Sequence, residues 1–259
     1  MLDLLIPALD ALPATVQVFV RDDDAGWEDG KLLGLLDVMQ RAGVPIDLAA
    51  IPAALGPTLA AELCARIDAS PELLAVHQHG LQHVNHEPVG RKCEFGPARS
   101  ATEQREDLAQ GRAALAGLLG ERLQPWFTPP WNRCGAATPG LLASLGFQAL
   151  SRDRRAAPGQ HALPELPVDV DWSRQWREGQ GTAVASALVD ALRARAADGA
   201  ALGLMLHHAV MSRDELRCLA GLLAVASDHP RLRWCGMGEL LVSSSSPADS
   251  PEPGLVLHF

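Results

Sequence analysis

The stretch VQVFVRDDDAG, residues 16–26, joins an apolar run to an acidic one. Its first part, VQVFV (16–20), has the β-branched and aromatic residues that favour a strand, and a helical pattern follows near residues 28–42. A strand, polar residues at its end and then a helix make one βα unit of a parallel α/β fold. The three carboxylates at 22–24 repel one another. They therefore indicate either a solvated turn or a site where a cation or an arginine offsets their charge.

The same unit recurs along the rest of the chain. Apolar, β-rich runs alternate regularly with helical patterns, which gives seven or eight units. That number favours a single-domain (β/α) barrel over an open doubly wound sheet. We expect the barrel to occupy residues 1–241, and the Ser- and Pro-rich residues 242–259 to form an irregular tail. The predicted strands after the first are 45–51, 73–77, 125–130, 147–151, 202–206 and 232–236, and the further helices lie near 57–68, 100–120, 136–145, 181–197 and 212–226.

The composition narrows the classes of partner. A net charge of −9 and a pI near 5.4 argue against nucleic acid or an anionic membrane surface, because both bind clustered Lys and Arg. No uncharged apolar run approaches the length of a membrane span, and residues 1–17 lack the basic region of a signal peptide. The five cysteines are scattered without a CxxC pair, so neither a disulfide framework nor a thiolate zinc site is expected. These features favour a cytoplasmic protein and leave the oligomeric state open.

Histidines are concentrated after the third predicted strand. Four of the nine in the chain lie in the segment 77–86. His79 and His83 are four residues apart and would share one face of a helical turn, whereas His77 and His79 would share one face of a strand. Ordinary loop histidines are the alternative, but the concentration favours a metal site. Together with one aspartate, two histidines would form an open site for a catalytic Zn²⁺ or Fe²⁺ rather than a closed structural site.

His207 and His208 end another predicted strand. Because the carboxyl ends of parallel strands meet at one face of the fold, we expect these residues to lie near the acidic run and the histidine segment. Metal-assisted hydrolysis needs a base for water and an acid for the departing amine, and Asp23 and His207 are the natural candidates. The alternative is that they are ordinary core or surface histidines whose ring nitrogens are hydrogen-bonded within the fold.

The segments TPPWNR (128–133) and DVDW (169–172) also follow predicted strands. Trp131 suits either the apolar face of a sugar ring or a packed indole in a rigid loop. Asp169 and Asp171 suit either a binding site or solvent. Both interpretations stay open on the residues alone.

In their order along the chain, these segments resemble the polysaccharide deacetylase (NodB-like) family, which is carbohydrate esterase family 4 in its broad sense. The similarity spans roughly residues 16 to 210, and it is the succession of five motifs, each after a predicted strand, that makes it specific. It implies a distorted (β/α) barrel of seven or eight units. The motifs are Asp23-Asp24, His79-Gly-Leu-Gln-His83, Thr128-Pro-Pro-Trp131-Asn132, Asp171-Trp172 and Leu204-Met-Leu-His207.

The resemblance also implies the chemistry of the site. A divalent metal would be bound by Asp24, His79 and His83, with Zn²⁺ as the first candidate and Fe²⁺, Co²⁺ or Ni²⁺ as others. Asp23 would take the proton of the attacking water, and His207 would protonate the leaving amine. The substrate would be an N-acylated sugar, N-acetyl first of all, used in the synthesis of a bacterial surface polysaccharide. Its expected contacts are Trp131, Asn132, Asp171 and Trp172.

The chain departs from the family pattern in three respects, of which the tripled aspartate at residues 22–24 is one. Gly80 follows the first ligand histidine where the family often has Ser or Thr, so one hydroxyl that braces the loop is missing. Thr128 stands where an arginine usually orients the base carboxylate. Arg21 or Arg133 could replace that arginine, and we favour Arg21 because it is the closer neighbour of Asp23.

Several assignments stay open at this level. The tripled aspartate leaves the base and ligand pair uncertain by one position within residues 22–24, and either His207 or His208 could be the acid. With RDDDAG, HGxxHxNH and PPWN, the segment KCEF (92–95) resembles a divergent branch of the family rather than the chitin deacetylases, and this resemblance implies that Glu94 faces the substrate.

Two other functions remain as alternatives. One is hydrolysis of a non-acetyl or non-sugar amide, such as a formamide. The other is a non-catalytic, metal-binding barrel that recognises carbohydrate. The last would gain support if a fourth protein ligand, such as His77 or His86, capped the ion.

Overall fold

The computed structural model describes residues 1–156 and 161–245, which form eight parallel strands and eight α-helices. Strands and helices alternate along the chain as expected for βα units. The strands are β1 Val16–Ala25, β2 Ile46–Ala50, β3 Leu74–His79, β4 Leu123–Thr128, β5 Ala149–Leu150, β6 Val170–Asp171, β7 Leu202–Leu206 and β8 Leu232–Trp234. The helices are α1 Leu2–Asp10, α2 Asp29–Ala42, α3 Pro57–Ala69, α4 Ala101–Leu119, α5 Thr138–Ser144, α6 Trp172–Asp198, α7 Arg213–Ala226 and α8 Met237–Ser245.

The sheet is curled, with β1 near its centre. The strand order is β5-β4-β3-β2-β1-β7-β6, and β8 pairs with the beginning of β1. Two parallel bridges, Leu150↔Glu165 and Asp153↔Val168, connect the chain at β5 with the chain just before β6, so the two edges of the sheet approach each other. The predicted single-domain α/β fold, a distorted barrel of (β/α) units, is confirmed.

Strand β1 is longer than its apolar run predicted, and this places the acidic residues. All ten of its residues except Gln17 are buried, including three consecutive aspartates. A buried carboxylate is tolerated only where a cation or hydrogen-bond donor offsets the loss of water, so each of these aspartates needs a partner inside the barrel. Pairing with β7 continues to Asp22, and the register with β2 shifts between Asp22 and Ala25.

Three elements differ from the sequence prediction. Helix α1 was not anticipated, and β6 is only two residues long, too short to show a periodicity. Helix α6 begins at Trp172 rather than near residue 181, because the Asp171 side chain caps its first turn by accepting a hydrogen bond from the Arg174 N–H at 3.0 Å. A kink at Gly179 and Gln180 separates this first part from the predicted helix.

The end of the described chain is helical. Helix α8 includes residues 242–245, which the sequence placed in the irregular tail, and residues 246–259 of that tail lie outside the described residues. No helix in the described ranges combines the length and the apolar character needed to cross a membrane.

Candidate metal centre and active site

Asp24, His79 and His83 converge at the carboxyl ends of β1 and β3. One ligand atom of each lies within 4.8 Å of the others. Asp24 Oδ1 is 3.3 Å from Nε2 of His79 and 3.3 Å from Nε2 of His83. This oxygen is buried and makes no hydrogen bond of good geometry, so it lacks the partner that a buried carboxylate requires. Two imidazole nitrogens and one buried carboxylate oxygen that has no hydrogen-bond partner form a ligand set that fits a divalent cation such as Zn²⁺ or Fe²⁺.

The two histidines direct their Nε2 atoms towards Asp24. His79 Nδ1 donates to the carbonyl oxygen of Thr128 at 3.0 Å, which orients the ring and directs Nε2 at the Asp24 carboxylate. The Thr128 hydroxyl is hydrogen-bonded to His77 Nε2 at 2.8 Å, so buried His77 braces the residue that orients His79. Burial, with the nearby His79, lowers the pKa of His83 to about 4. His83 is therefore neutral, as a metal ligand must be.

Backbone strain is concentrated around this group. Among the described residues, six that are not glycine have a positive φ, and four of them are predicted site residues. Each such conformation costs on the order of 1 kcal/mol or more and persists where surrounding contacts enforce it, often at functional sites. The four are Asp24 (φ 75°), His83 (φ 58°), Trp131 (φ 55°) and Asn132 (φ 58°).

Asp23 is held by Arg21 two residues before it. The guanidinium donates to both carboxylate oxygens, Nε at 2.7 Å and Nη2 at 2.9 Å, and Arg21 is completely buried. It also donates to the Ser151 hydroxyl at 2.7 Å and to Asn132 Oδ1 at 2.6 Å. Burial alone would raise the pKa of Asp23, but the charges of Arg21 and the nearby histidines outweigh it and hold the pKa below its usual range. Asp23 is therefore an oriented, ionised carboxylate.

Asp22 has a different partner, His208. The His208 Nδ1 lies 2.5 Å from Asp22 Oδ2, its backbone N–H donates to Oδ1 at 2.9 Å, and Nε2 donates to the Trp27 carbonyl at 2.7 Å. Burial would lower the pKa of His208, but the Asp22 charge raises it to about 9. These two residues form a buried ion pair. Asp22 is thus occupied elsewhere, which favours Asp23 and Asp24 as the base and ligand pair.

His207, in contrast, faces a cleft of about 570 Å³. Its Nε2 is 4.0 Å from Asp23 Oδ2, and its Nδ1 is 3.9 Å from Asp171 Oδ1. These distances are too long for hydrogen bonds, but catalytic contacts often shorten when substrate binds. Trp131 and Asn132 line the same cleft. The geometry therefore favours His207 over His208 as a residue that can reach a ligand.

Two expected substrate contacts are corrected by their burial. Trp172 has no exposed surface and belongs to the main apolar core, so it cannot touch a molecule in the cleft. Glu94 is 1% exposed, and its carboxylate accepts hydrogen bonds from the backbone N–H groups of Leu81 at 3.3 Å and Gln82 at 2.8 Å. Glu94 thus braces the loop between the two ligand histidines.

The position of the Glu94 carboxylate also explains why residue 80 is a glycine. Its φ is +60°, and a Cβ at this position would lie 2.1 Å from Glu94 Oε2 and 2.6 Å from a Pro130 ring carbon. A serine or threonine does not fit there, and the Glu94 carboxylate supplies the bracing that a hydroxyl would give. In the sequence, the only sign that a carboxylate replaces the usual hydroxyl is the glycine between the two histidines. Its meaning is clear only in the structure, where Glu94 lies beside it.

The ion pair between Arg21 and Asp23 makes a testable contribution to stability. Arg21→Met should lower the free energy of unfolding by about 3 kcal/mol, because it leaves the Asp23 charge buried without a partner. Urea denaturation in the presence of a chelator, which removes any contribution from metal binding, measures the change. The double variant Arg21→Met/Asp23→Asn should recover part of the loss. A single variant as stable as the unmodified protein would contradict the burial of this pair.

Comparisons with known proteins bear on the fold. No model of a protein family matches the sequence, and neither does any curated protein. Among solved structures, a Mycobacterium smegmatis protein assigned to the polysaccharide deacetylases matches with a TM-score of 0.68 and 18% identity, over 93% of this chain and 96% of that one. A family 4 acetyl xylan esterase from Clostridium thermocellum, in complex with a cobalt ion, matches with a TM-score of 0.60 and 12% identity over 89% and 93%.

A third match is a carbohydrate esterase family 4 pseudoenzyme from Bacillus anthracis, with a TM-score of 0.60 and 13% identity over 88% of this chain and 66% of that one. Because enzymes and a pseudoenzyme share this architecture, the similarity supports the fold alone. The activity has to be argued from the residues of the site. Over most of its length the chain therefore has the fold of the polysaccharide deacetylases and family 4 esterases, the NodB-like barrel that the order of its motifs predicted.

Proposed function

We propose that this protein is a metal-dependent hydrolase that removes the N-acyl group, N-acetyl first of all, from a carbohydrate. The observation that carries the proposal is the convergence of Asp24, His79 and His83 beside Asp23, an ionised carboxylate fixed by Arg21. Zn²⁺ is the first candidate for the metal. The cobalt-bound esterase of the same fold supports a divalent ion of this size and ligand preference.

The mechanism follows from the placement of the side chains. A divalent cation at the three ligands would polarise the acyl oxygen and make water more acidic. Asp23 accepts a proton from the water that attacks the acyl carbon, and Arg21 keeps that carboxylate charged and oriented. The C–N bond then breaks as His207 gives a proton to the departing amine, while Asp171 faces the other ring nitrogen of His207.

The cleft residues suit a sugar. Trp131 is partly exposed at the cleft and offers an aromatic face, while the Asn132 side chain is fixed by Arg21. Aromatic faces with a few fixed polar groups are common in carbohydrate sites. We further propose that the substrate is a cytoplasmic, nucleotide- or lipid-linked sugar used in bacterial surface-polysaccharide synthesis.

A non-catalytic metal-binding barrel is the second candidate, because a pseudoenzyme has the same fold. The contacts of the remaining histidines argue against it. His77 Nε2 is hydrogen-bonded to the Thr128 hydroxyl at 2.8 Å, and His86 Nε2 accepts from Arg99 at 2.9 Å. Among the described residues, the group able to share a cation contains only Asp24, His79 and His83, so no fourth protein ligand closes the site.

The experiment measures metal content and acyl release together. We expect the purified protein to bind one equivalent of Zn²⁺ or Co²⁺ and to release acetate from N-acetylated sugars. A chelator should abolish the release, and added metal should restore it. N-formyl sugars in the same panel separate the acetyl from the formyl alternative. A protein that binds one equivalent of metal but releases neither acid from any member of the panel would support the non-catalytic alternative.

A further inference from the structure

The cleft beside the candidate site is rich in arginine although the chain is acidic overall. Five arginines and two aspartates line it, whereas the whole chain has 22 Lys and Arg against 31 Asp and Glu. Gathering like charges at one concave surface costs free energy unless a ligand of opposite charge offsets it. The five are Arg91, Arg133, Arg152, Arg155 and Arg174.

Three of these arginines are at least partly neutralised by a carboxylate. Arg152 pairs with Glu165 at 2.6 Å, and Arg174 pairs with Glu178 at 2.9 Å. Arg155 has a looser contact of 3.9 Å with Asp153. Nearby carboxylates therefore offset the charges of Arg152 and Arg174, and they offset that of Arg155 more weakly.

The other two, Arg91 and Arg133, form no ion pair among the residues that the structure describes. Arg133 is instead held by a hydrogen bond from Nη1 to the carbonyl oxygen of Lys92 at 3.1 Å. Partial burial, together with the nearby charge of Arg91, lowers the pKa of Arg133, so the two guanidiniums repel each other. Asp153 lines the same cleft and offsets part of the Arg133 charge, but in the described part of the chain neither guanidinium has a carboxylate within ion-pair distance. Two guanidiniums without such a partner at one cleft suit the recognition of phosphate or carboxylate groups.

Trp131 connects this pair with the candidate site. Its ring centroid lies 4.4 Å from that of His83, and the Lys92 ammonium lies 5.8 Å from the centroid of the Trp131 ring. A sugar that packs on Trp131 would therefore lie close both to the ligand His83 and to Lys92, which is next in sequence to Arg91. His207 and Arg133 line the same cleft, so one molecule can contact both.

We propose that the cleft binds an acylated sugar that carries an oxyanion group, and that Arg91 and Arg133 bind that group. The proposal rests on the proposed function in taking the ligand as an acylated sugar, and it adds the charge of the substrate. Phosphate and carboxylate share the chemistry that guanidinium recognises, so the test contains both.

Isothermal titration calorimetry with metal-loaded Asp23→Asn protein measures binding without turnover. The probes are N-acetylglucosamine, which is neutral, N-acetylglucosamine 1-phosphate and N-acetylmuramic acid, which carries a carboxylate. We expect at least one charged probe to bind about tenfold more tightly than the neutral one at low salt. High salt should reduce the difference, because the contacts are partly exposed.

The double substitution Arg91→Gln/Arg133→Gln, introduced into the same protein, should remove most of this preference and leave the binding of the neutral sugar nearly unchanged. Arg217→Gln/Arg233→Gln is the matched control, since both residues are exposed and neither lines the cleft. Equal binding of the three probes would overturn the proposal. So would a preference that survives the loss of Arg91 and Arg133.

Acyl release by the unmodified protein from the same probes tests the proposed function separately. A charged-probe preference that depends on Arg91 and Arg133, without release from any probe, would support the binding site and count against the proposed hydrolysis. Release from all three probes at equal rates, together with equal binding, would support the hydrolysis and overturn the anionic substrate.

Discussion

Asp24→Asn should reduce the affinity for Zn²⁺ by more than about 100-fold and reduce acyl release in parallel. Substitution of residues that only support the ligands of a metal site already changes the metal affinity by about 10- to 100-fold. Asp24 is itself the carboxylate that both histidines face. Asparagine retains the shape of the side chain and tolerates the positive φ of this position, whereas it removes the negative charge. Metal content after dialysis and acetate release at increasing Zn²⁺ concentration measure both effects.

Asp153→Ala is a suitable control, because Asp153 is a cleft carboxylate outside the ligand group. This variant should keep the metal affinity of the unmodified protein. If Asp24→Asn also kept it, the three-residue site would be refuted. Partial recovery of acyl release by Asp24→Asn at excess Zn²⁺ would agree with weakened metal binding rather than with a damaged fold.

Strand positions and the convergence of the motifs were predictable because they depend on local pattern and on one rule of topology. The run LGLML coincides with β7, and the β-rich runs at 16–20 and 73–77 mark β1 and β3. In parallel sheets the strands point the same way, so residues after different strands gather at one face. The encounter of Asp24 with His79 and His83 is a consequence of that rule.

The direction of individual side chains was not predictable from the same patterns. Trp172 follows a strand end, as a substrate contact would, but it begins α6 and points into the core. Glu94 accepts hydrogen bonds from the backbone of Leu81 and Gln82, which precede it by more than ten residues. Hydrogen bonds of this kind cannot be predicted from the local sequence pattern. Burial and long-range partners decide these cases.

The tripled aspartate shows the same limit. In the sequence, residues 22–24 are equivalent carboxylates, and their assignment was open by one position. In the fold each meets a different partner: His208 for the first, Arg21 for the second and the ligand histidines for the third. Tertiary contacts, rather than position in the run, distinguish them.

Asp23→Asn should retain the metal and lower kcat by about 10³-fold, since it removes the proton acceptor and keeps the ligand group. The adjacent Asp24→Asn substitution is its matched counterpart, with the same change of chemistry one residue away and the opposite effect on metal content. Zinc stoichiometry, acetate release and the circular dichroism spectrum, measured for both variants, separate the roles of the two carboxylates.

Loss of stability is the competing explanation for an inactive Asp23→Asn protein, because the substitution leaves Arg21 buried without its carboxylate. The double variant Arg21→Met/Asp23→Asn removes that unpaired charge as well. It should be more stable than Asp23→Asn alone and equally inactive, with metal still bound. Recovery of acyl release in the double variant would show that stability was limiting and that Asp23 does not act as the base. Inactivity that persists in a stable, metal-loaded double variant excludes loss of stability as the cause and agrees with Asp23 as the proton acceptor.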